Sequence, residues 1–186
     1  VRLSWGGRGS LQTLRAAETA SQEPPLQGMA LMAAFYLNEL ILNFIRRGDP
    51  HPGLFMAYAE ALAELRQGPD SEPALRRFEL RLLAEAGYGL NLDHDVLNDV
   101  ALDPHGSYEY RIEHGPVPAE AGQAALVLSG LTLLAISRGE LTDPGVLQSA
   151  KRLLRGVLAH YLDGRTLRTR QVLASMRRAP AVSQLS

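Results

Sequence analysis

The sequence predicts a mainly α-helical protein: a helical bundle with a small β-hairpin inserted in it and a pair of strands before it. Apolar residues make up 46% of the chain and are mostly alanine and leucine, while aromatic residues make up only 6%. Alanine and leucine lose little side-chain freedom in a helix. Several apolar stretches repeat at helical spacing, with capping residues, glycines and prolines at their ends.

The first segment, residues 1–20, has the pattern of extended structure. Residues 1–5 alternate at period two, glycines at 6, 7 and 9 supply a turn, and a second strand-like run contains Leu11 and Leu14. Because an isolated two-stranded hairpin is marginal in water, these strands are expected to belong to a larger sheet. Residues 21–28 contain two prolines and are predicted to be a linker.

The first helix is predicted over about 26–47, ending at Gly48. Asn38, Glu39 and Asn43 interrupt its apolar run, and a membrane span needs about 20 mostly apolar residues, so a buried core helix is the prediction. For Glu39, a structural pairing across the bundle is favoured over catalysis, because burying a lone carboxylate is costly. Together with later helices it forms a helical domain predicted over 29–178.

Two further helices follow the first. The second, over about 54–67, has four residues at helical spacing that are predicted to face inward: Phe55, Tyr58, Leu62 and Leu65. The third begins after a cap at Asp70 or Ser71 and ends before Gly87. Its predicted apolar stripe is Leu75, Phe78, Leu82 and Leu83.

An irregular excursion is predicted over about 89–128. Residues 90–106 have no clear period, whereas 107–118 alternate around a turn and predict a short hairpin. Residues 119–128 are compatible with either helix or strand.

Three helices are predicted in the last third of the chain. Ser129 caps a short helix to about residue 138, and Asp143 before Pro144 opens a longer one to about Leu162. Thr166 is predicted to cap a last helix through 173, and residues 179–186 form a tail.

Positive charge is concentrated near the C-terminus, although the whole chain carries only −1. Residues 151–178 contain eight Lys or Arg and one acid, Asp163, which gives this segment +7 and the remaining residues −8. Such asymmetry produces a local positive field that suits an anionic partner.

Several function classes lack the residues they need. The chain has no cysteine, which removes disulfides, thiolate metal sites and cysteine nucleophiles, and fits a reducing cytosol. No secretory signal, nucleophile–base arrangement or phosphate-binding glycine loop is present in the sequence. A cytoplasmic protein that is not an enzyme and needs no cofactor is therefore expected.

Four blocks of sequence, taken in order, resemble the RecO family of DNA repair proteins, the third being a helix in 73–83 that runs on to an exit turn in 86–92. They are GGRG followed by LRAAE in 6–18, YLNEL in 36–40, PALRRFELRLL in 73–83 followed by AGYGLNL in 86–92, and AKR in 150–152 followed by YLDGRTLRTR in 161–170. The resemblance implies a helical C-terminal domain and identifies residues 1–20 as the remnant of an N-terminal OB-fold barrel. It also implies a recombination mediator that binds single-stranded DNA, the tail of single-stranded DNA-binding protein (SSB) and RecR, promotes strand annealing and indirectly serves RecA loading.

For the SSB tail, which is acidic and hydrophobic, the third helix is the candidate site. Arg76, with Arg77 and Arg81, can present a planar guanidinium to a terminal carboxylate, and Leu75 and Phe78 can supply an apolar pocket. The alternative is a helix with one wet face, on which Arg76 pairs with Glu72 or Glu79.

For DNA, the candidate residues are the basic group near the C-terminus, brought together if the last two helices fold back on each other. The set is Lys151, Arg152, Arg155, Arg165, Arg168 and Arg170. Such a group gives weak, sequence-independent and salt-sensitive binding, and the alternative is a solvated basic face. Few aromatic residues are available for stacking on bases, and Tyr161 is expected to be core.

The sequence departs from the family in the excursion, where many RecO proteins carry four zinc-binding cysteines. His94, Asp95 and His105 lie there and leave a metal-dependent hydrolase as an alternative function, but their spacing matches no compact ligand pattern. No metal site is predicted. A second alternative is a fragment that docks partners without binding DNA.

Overall fold

The computed structural model describes residues 2–8, 11–19, 24–68, 72–120, 126–169 and 171–172. The elements of these residues are β1 Arg2–Gly6, β2 Thr13–Glu18, α1 Gly28–Phe44, α2 Pro52–Gln67, α3 Glu72–Glu85, β3 His94–Asp95, β4 Val100–Ala101, β5 Ser107–Arg111, β6 Gly115–Pro118, β7 Val127–Ser129, α4 Gly130–Ser137 and α5 Pro144–Tyr161. The mainly α fold class predicted from the sequence is confirmed.

α3 lies at the centre of the bundle and packs against α1, α2 and α5. Phe78, Leu82 and Leu83 are its buried apolar residues, as the sequence predicts, and each has 1% exposure or less. α5 buries a stripe from Ala150 to Leu158 against this core. Because burying each large apolar side chain contributes about 1.5–3 kcal/mol, these contacts fix how the helices meet.

α4 and α5 begin at the predicted caps, whereas α1 ends at Phe44 and not at about residue 47 as predicted. The Ser129 hydroxyl accepts a hydrogen bond from the Thr132 amide at 3.1 Å, and the Asp143 carboxylate accepts one from the Val146 amide at 2.9 Å. Gly87, just after α3, has a φ of +84°, a backbone conformation that favours glycine. The caps proposed for α3, Asp70 and Ser71, lie outside the described residues.

The predicted inward face of α2 is wrong at Phe55, which is 70% exposed. The buried residues are Leu54, Ala61 and Leu65, which share one side of the helix. Phe55 follows Leu54 and therefore points about 100° further round the helix axis, outside the contact with α3.

The excursion forms two small antiparallel sheets, β3–β4 and β6–β5–β7. The predicted hairpin is present as β5 and β6, with Tyr108 opposite Pro118. Of the ambiguous stretch 119–128, residues 127 and 128 belong to β7, and 121–125 lie outside the described residues. The Asp103 amide donates to the Tyr108 hydroxyl at 2.9 Å, which ties the irregular segment to the hairpin.

β1 and β2 pair antiparallel, from Arg2 opposite Glu18 to Gly6 opposite Thr13. Within the described residues this pair joins no further strand, and its side chains are exposed, including Trp5 at 61%. The extended structure predicted for this segment is confirmed, while its assignment to an OB fold and the domain limits 1–20, 21–28 and 29–178 stay predictions.

After α5 the chain passes through a buried Leu167 into a short helical turn that includes residues 168, 169, 171 and 172. The last helix is thus present where its residues are described. Its predicted end at 173 and the predicted tail, 179–186, lie outside the described residues.

Candidate functional site

A buried ion pair occupies the centre of the predicted SSB-tail site. Arg76 Nη2 lies 2.8 Å from Glu79 Oε1, and the Tyr36 hydroxyl of α1 donates to the same oxygen at 2.5 Å. Glu79 is fully buried, and Arg76 is 5% exposed. The sequence favoured Arg76 as the cation that binds the SSB-tail carboxylate; the structure has Arg76 buried in the core with Glu79, one of the two partners named in the alternative.

The other members of that predicted set divide between the core and a groove. Leu75 and Phe78 are buried, while Arg77 and Arg81 are partly exposed on the side of α3 that faces α2. The groove there has a volume of about 450 Å³ and an apolar floor. Its lining is Gly53, Met56, Ala57, Glu60, Ala61, Glu64, Ala74, Arg77, Phe78 and Arg81.

Carboxylates hold both arginines of the groove. Arg77 pairs with Glu64 of α2, and Arg81 Nη2 lies 3.0 Å from Glu85 Oε1. His51, before α2, contacts Glu85 at 3.5 Å and Asp49 at 3.2 Å. Both arginines are therefore accessible at the rim of an apolar groove, and each is paired with an acid. Sequence spacing did not predict that Glu64 is the partner of Arg77.

The predicted DNA-binding residues lie on two separate parts of the fold. Arg152 and Arg155 are exposed on α5 and have no ion-pair partner among the described residues, and Lys151 Nζ lies 2.8 Å from Glu72 of α3. Lys151 precedes the end of α5 by ten residues, about 15 Å along the helix axis.

The second part lies beyond the end of α5. Arg165 Nε donates to the Leu162 carbonyl at 3.2 Å, and Arg168 lies beside α1. Arg170 is outside the described residues. The structure thus ties the last turn to α1, rather than folding it back along Lys151 and Arg155 as the sequence suggested.

Glu39 makes the tie between α1 and the last turn. Its carboxylate accepts hydrogen bonds from the Arg168 amide at 2.7 Å, the Thr169 amide at 3.0 Å and the Thr169 hydroxyl at 2.6 Å. Burial acts to raise the pKa of Glu39, but these hydrogen bonds and the Arg168 charge outweigh it and hold the pKa below glutamate's usual value. The predicted structural pairing is therefore found, mainly with backbone amides.

Four aromatic rings meet where α1, α3 and α5 end. Tyr88 stacks on Tyr161 with ring centres 4.1 Å apart and planes 27° apart, and Phe44 meets Tyr88 edge-on at 6.1 Å. His160 meets Tyr161 edge-on at 5.1 Å. Burial, Glu113 and Tyr88 raise the pKa of Tyr161, so its hydroxyl stays neutral at physiological pH.

The Tyr88–Tyr161 stack was missed by sequence reasoning, which placed Tyr161 in the core. Its sequence signal is the aromatic residue between Gly87 and Gly89, directly after a helix end. Tyr161 also packs towards Tyr110, whose pKa is raised to about 12 by burial and then by Tyr161 itself.

The residues of the hydrolase alternative do not come together as a metal site. Within the residues described, no group of three or more His, Cys, Asp and Glu side chains could hold an ion. Asp95 accepts hydrogen bonds from the Leu97 and Asn98 amides and the Asn98 side chain, so it serves as a turn residue. Burial acts to raise the pKa of Asp95, and these bonds hold it below the usual value.

No helix among the described residues is long and apolar enough to cross a membrane. This agrees with the sequence, where polar residues interrupt the apolar run of α1.

Comparison with known proteins shows similarity over nearly the whole chain. Residues 26–171 match the family model described as "Recombination protein O C terminal". The chain is 46% identical over 173 residues to DNA repair protein RecO of Nitrosospira multiformis, covering 92% of this chain and 72% of that protein. It is 43% identical over 178 residues to DNA repair protein RecO of Azoarcus sp., covering 94% and 73%. The family match spans all five helices described above and begins after the β1–β2 hairpin.

Proposed function

The chain belongs to the RecO family of DNA repair proteins, and from that membership we propose that it acts in recombinational repair as a mediator without catalytic activity of its own. In this role it binds single-stranded DNA, the SSB tail and RecR, promotes strand annealing and assists RecA loading. The observation that carries the proposal is the family match over 26–171, since it covers the helices that carry the cationic surfaces described above.

DNA binding is supported by the exposed arginines of α5. Arg152 and Arg155 lie three residues apart on one face of the helix and have no carboxylate partner among the described residues. When such arginines bind phosphates, counterions condensed on the nucleic acid are released, so the affinity falls with added salt. Arg165 and Arg168 extend the positive charge towards the end of α1.

Docking of the SSB tail is supported by the groove between α2 and α3. An acidic and hydrophobic peptide end needs cations beside an apolar pocket, and Arg77 and Arg81 border a floor that includes Met56 and Phe78. An incoming carboxylate exchanges with Glu64 at Arg77 and with Glu85 at Arg81. Binding is therefore a competition between two carboxylates for each guanidinium.

Arg76 acts behind this groove rather than in it. Its pairing with Glu79 holds α3 on Tyr36 of α1, and so fixes the helix that displays Arg77 and Arg81. We therefore expect that substituting Arg76 affects peptide binding indirectly, by changing the position of α3.

The docking proposal is tested with two variants of opposite expected effect. Arg77→Ala removes the cation and weakens binding of an SSB-tail peptide by roughly fivefold, about 1 kcal/mol for a partly exposed charged hydrogen bond. Glu64→Gln removes the competing carboxylate and tightens binding. The measurement is fluorescence anisotropy of a labelled peptide, with Arg138→Ala, an exposed arginine on another element, as the matched control.

Equal affinity for all three variants would reject the groove as the docking site. If the chain binds the peptide but no single-stranded DNA at low ionic strength, the docking-only alternative replaces the mediator that binds DNA. Turnover of a substrate by the purified chain would remove the non-enzymatic assignment.

A further inference from the structure

The aromatic cluster at the ends of α1, α3 and α5 contains Tyr88 and Tyr161, and their hydroxyls can be compared with those of the other tyrosines. The hydroxyls of Tyr36, Tyr58 and Tyr108 each hydrogen-bond within the fold, to Glu79, Asn38 and the Asp103 amide. The hydroxyls of Tyr88 and Tyr161, like that of the more buried Tyr110, have no hydrogen-bond partner among the described residues. Tyr88 is held by its ring contacts with Phe44 and Tyr161, and Tyr161 also packs against the core.

Tyr88 is both fixed and open to solvent. Its amide donates to the Leu83 carbonyl at 2.8 Å, which sets the backbone after α3, and the residue is 40% exposed. It lies between Gly87, whose φ is +84°, and Gly89. A ring held in this way loses little freedom when a planar ligand stacks on it.

Uncompensated positive charge borders the cluster. Arg46 and Arg47 follow Phe44 at the end of α1, are exposed, and have no ion-pair partner among the described residues. Arg165 follows Tyr161 by four residues, and its Nε donates to the Leu162 carbonyl at the end of α5 at 3.2 Å. Of the acids near these arginines in sequence, Asp49 contacts His51 at 3.2 Å, whereas Asp163 is exposed and has no ion-pair partner among the described residues.

The acid that acts on Tyr161 is also engaged. Glu113 Oε1 lies 3.2 Å from His160 Nε2, and the His160 ring meets the Tyr161 ring edge-on. An exposed aromatic face near arginines that make no ion pair among the described residues suits a ligand with planar groups on an anionic backbone.

We propose that the stacked pair Tyr88–Tyr161 is a base-stacking platform for single-stranded nucleic acid, with a base on Tyr88 and the adjoining phosphates on Arg46, Arg47 and Arg165. This proposal rests on the proposed DNA-binding function and adds a contact to the bases. The arginines proposed on α5 contact only the phosphates. Stacking is tolerant of sequence because every base has an aromatic face.

The test compares two variants and two oligonucleotides. Tyr88→Leu keeps the apolar volume but removes the ring, and is expected to lower affinity for a dT oligonucleotide roughly tenfold at low salt. Tyr88→Phe keeps the ring and should bind as the unmodified chain does. Since phosphate contacts are unchanged, the slope of log affinity against log salt should be the same for all three.

An abasic oligonucleotide of equal length provides the second arm, which does not depend on how a variant folds. The unmodified chain should bind it more weakly than dT by a similar factor, and Tyr88→Leu should no longer distinguish the two. Trp5, exposed on β1, is the competing stacking residue, so Trp5→Leu is the matched control and should keep the preference.

Each result is decisive. Equal binding of dT and abasic strands by the unmodified chain overturns the platform and leaves the proposed function standing. A preference that survives Tyr88→Leu, or disappears in Trp5→Leu, places stacking elsewhere and also overturns it. Absence of binding to either strand instead removes the proposed DNA binding itself.

Discussion

The ion pair of Arg76 and Glu79 is the residue-scale feature on which the helical core depends. A carboxylate with no exposure is costly unless cations and donors surround it, and here Arg76 and the Tyr36 hydroxyl both reach Glu79 Oε1. The pair joins α3 to α1 and lies beneath the groove that Arg77 borders. Removing one partner therefore has a larger effect than breaking an exposed pair of the same chemistry.

Arg76→Ala is expected to lower the free energy of unfolding by about 3–5 kcal/mol, because it leaves the Glu79 carboxylate buried without this cation. Arg77→Ala, which breaks the half-exposed pair with Glu64, should cost at most about 1 kcal/mol. Urea denaturation followed by circular dichroism measures both. Similar losses for the two variants would contradict a special role for the buried pair.

Sequence reasoning identified the apolar stripe of α3 but not which carboxylate is buried. Glu39 lies in an apolar run and Glu79 in a charged one, so hydropathy points to Glu39. In the fold, Glu79 is fully buried and Glu39 only partly so. The difference arises because α3 is enclosed by three other helices, a tertiary arrangement that no local pattern contains.

At the scale of elements, Glu39 caps a helical turn that begins more than a hundred residues later. Its carboxylate accepts hydrogen bonds from the amides of Arg168 and Thr169. These are amides that the first turn of a helix leaves without a partner inside the helix. Thr166 was predicted as the cap because capping patterns are local in sequence. A cap supplied by another helix gives no such pattern.

Docking of the last turn on α1 is expected to weaken in acid. Because the folded pKa of Glu39 lies below its usual value, the stabilisation is complete above the pKa of an unfolded glutamate and is lost as the pH falls through the folded pKa. Amide exchange at Arg168 and Thr169 should therefore accelerate, relative to the α5 amides, below about pH 5. Glu39→Gln should show fast exchange already at neutral pH and lose the dependence, and an unchanged pH profile would contradict the role of Glu39.

Gly130, the first residue of α4, joins that helix to the excursion. A Cβ at this position would collide with the Asp103 carbonyl oxygen, which is backbone and cannot turn away. Gly130→Ala is therefore expected to lower the free energy of unfolding by about 1–3 kcal/mol, the usual cost of overpacking.

The same substitution in α5 provides the control. A Cβ on Gly156 would meet nothing within 4 Å, so Gly156→Ala should raise stability by about 0.5–1 kcal/mol through its better helix propensity. Thermal unfolding of both variants measures the difference, and a shift of the same sign in the two would argue against the close approach at Asp103.

For the whole molecule, the charge distribution matters more than the net charge. The sequence located the excess of cations in residues 151–178, yet it could not say that Glu72 of α3 engages Lys151 while Arg152 and Arg155 have no ion pair among the described residues. The sequence likewise predicted the helices and the hairpin but not how the helix ends meet. That meeting brings Tyr88 into contact with Tyr161, 73 residues later in the chain. Local patterns therefore predict elements, while surfaces built from several elements need the packed structure.

The double variant Arg152→Gln/Arg155→Gln tests whether the free cations of α5 meet phosphate. Each phosphate contact contributes about −0.7 to the slope of log affinity against log salt for a single strand, so loss of two contacts should make the slope shallower by about 1.4. A matched double variant, Arg111→Gln/Arg138→Gln, removes the same charge at exposed arginines that already contact Glu109 and Glu140. Since net charge is equal in the two, a change of slope confined to the α5 pair assigns direct contact, whereas equal changes would indicate only the long-range field of the molecule.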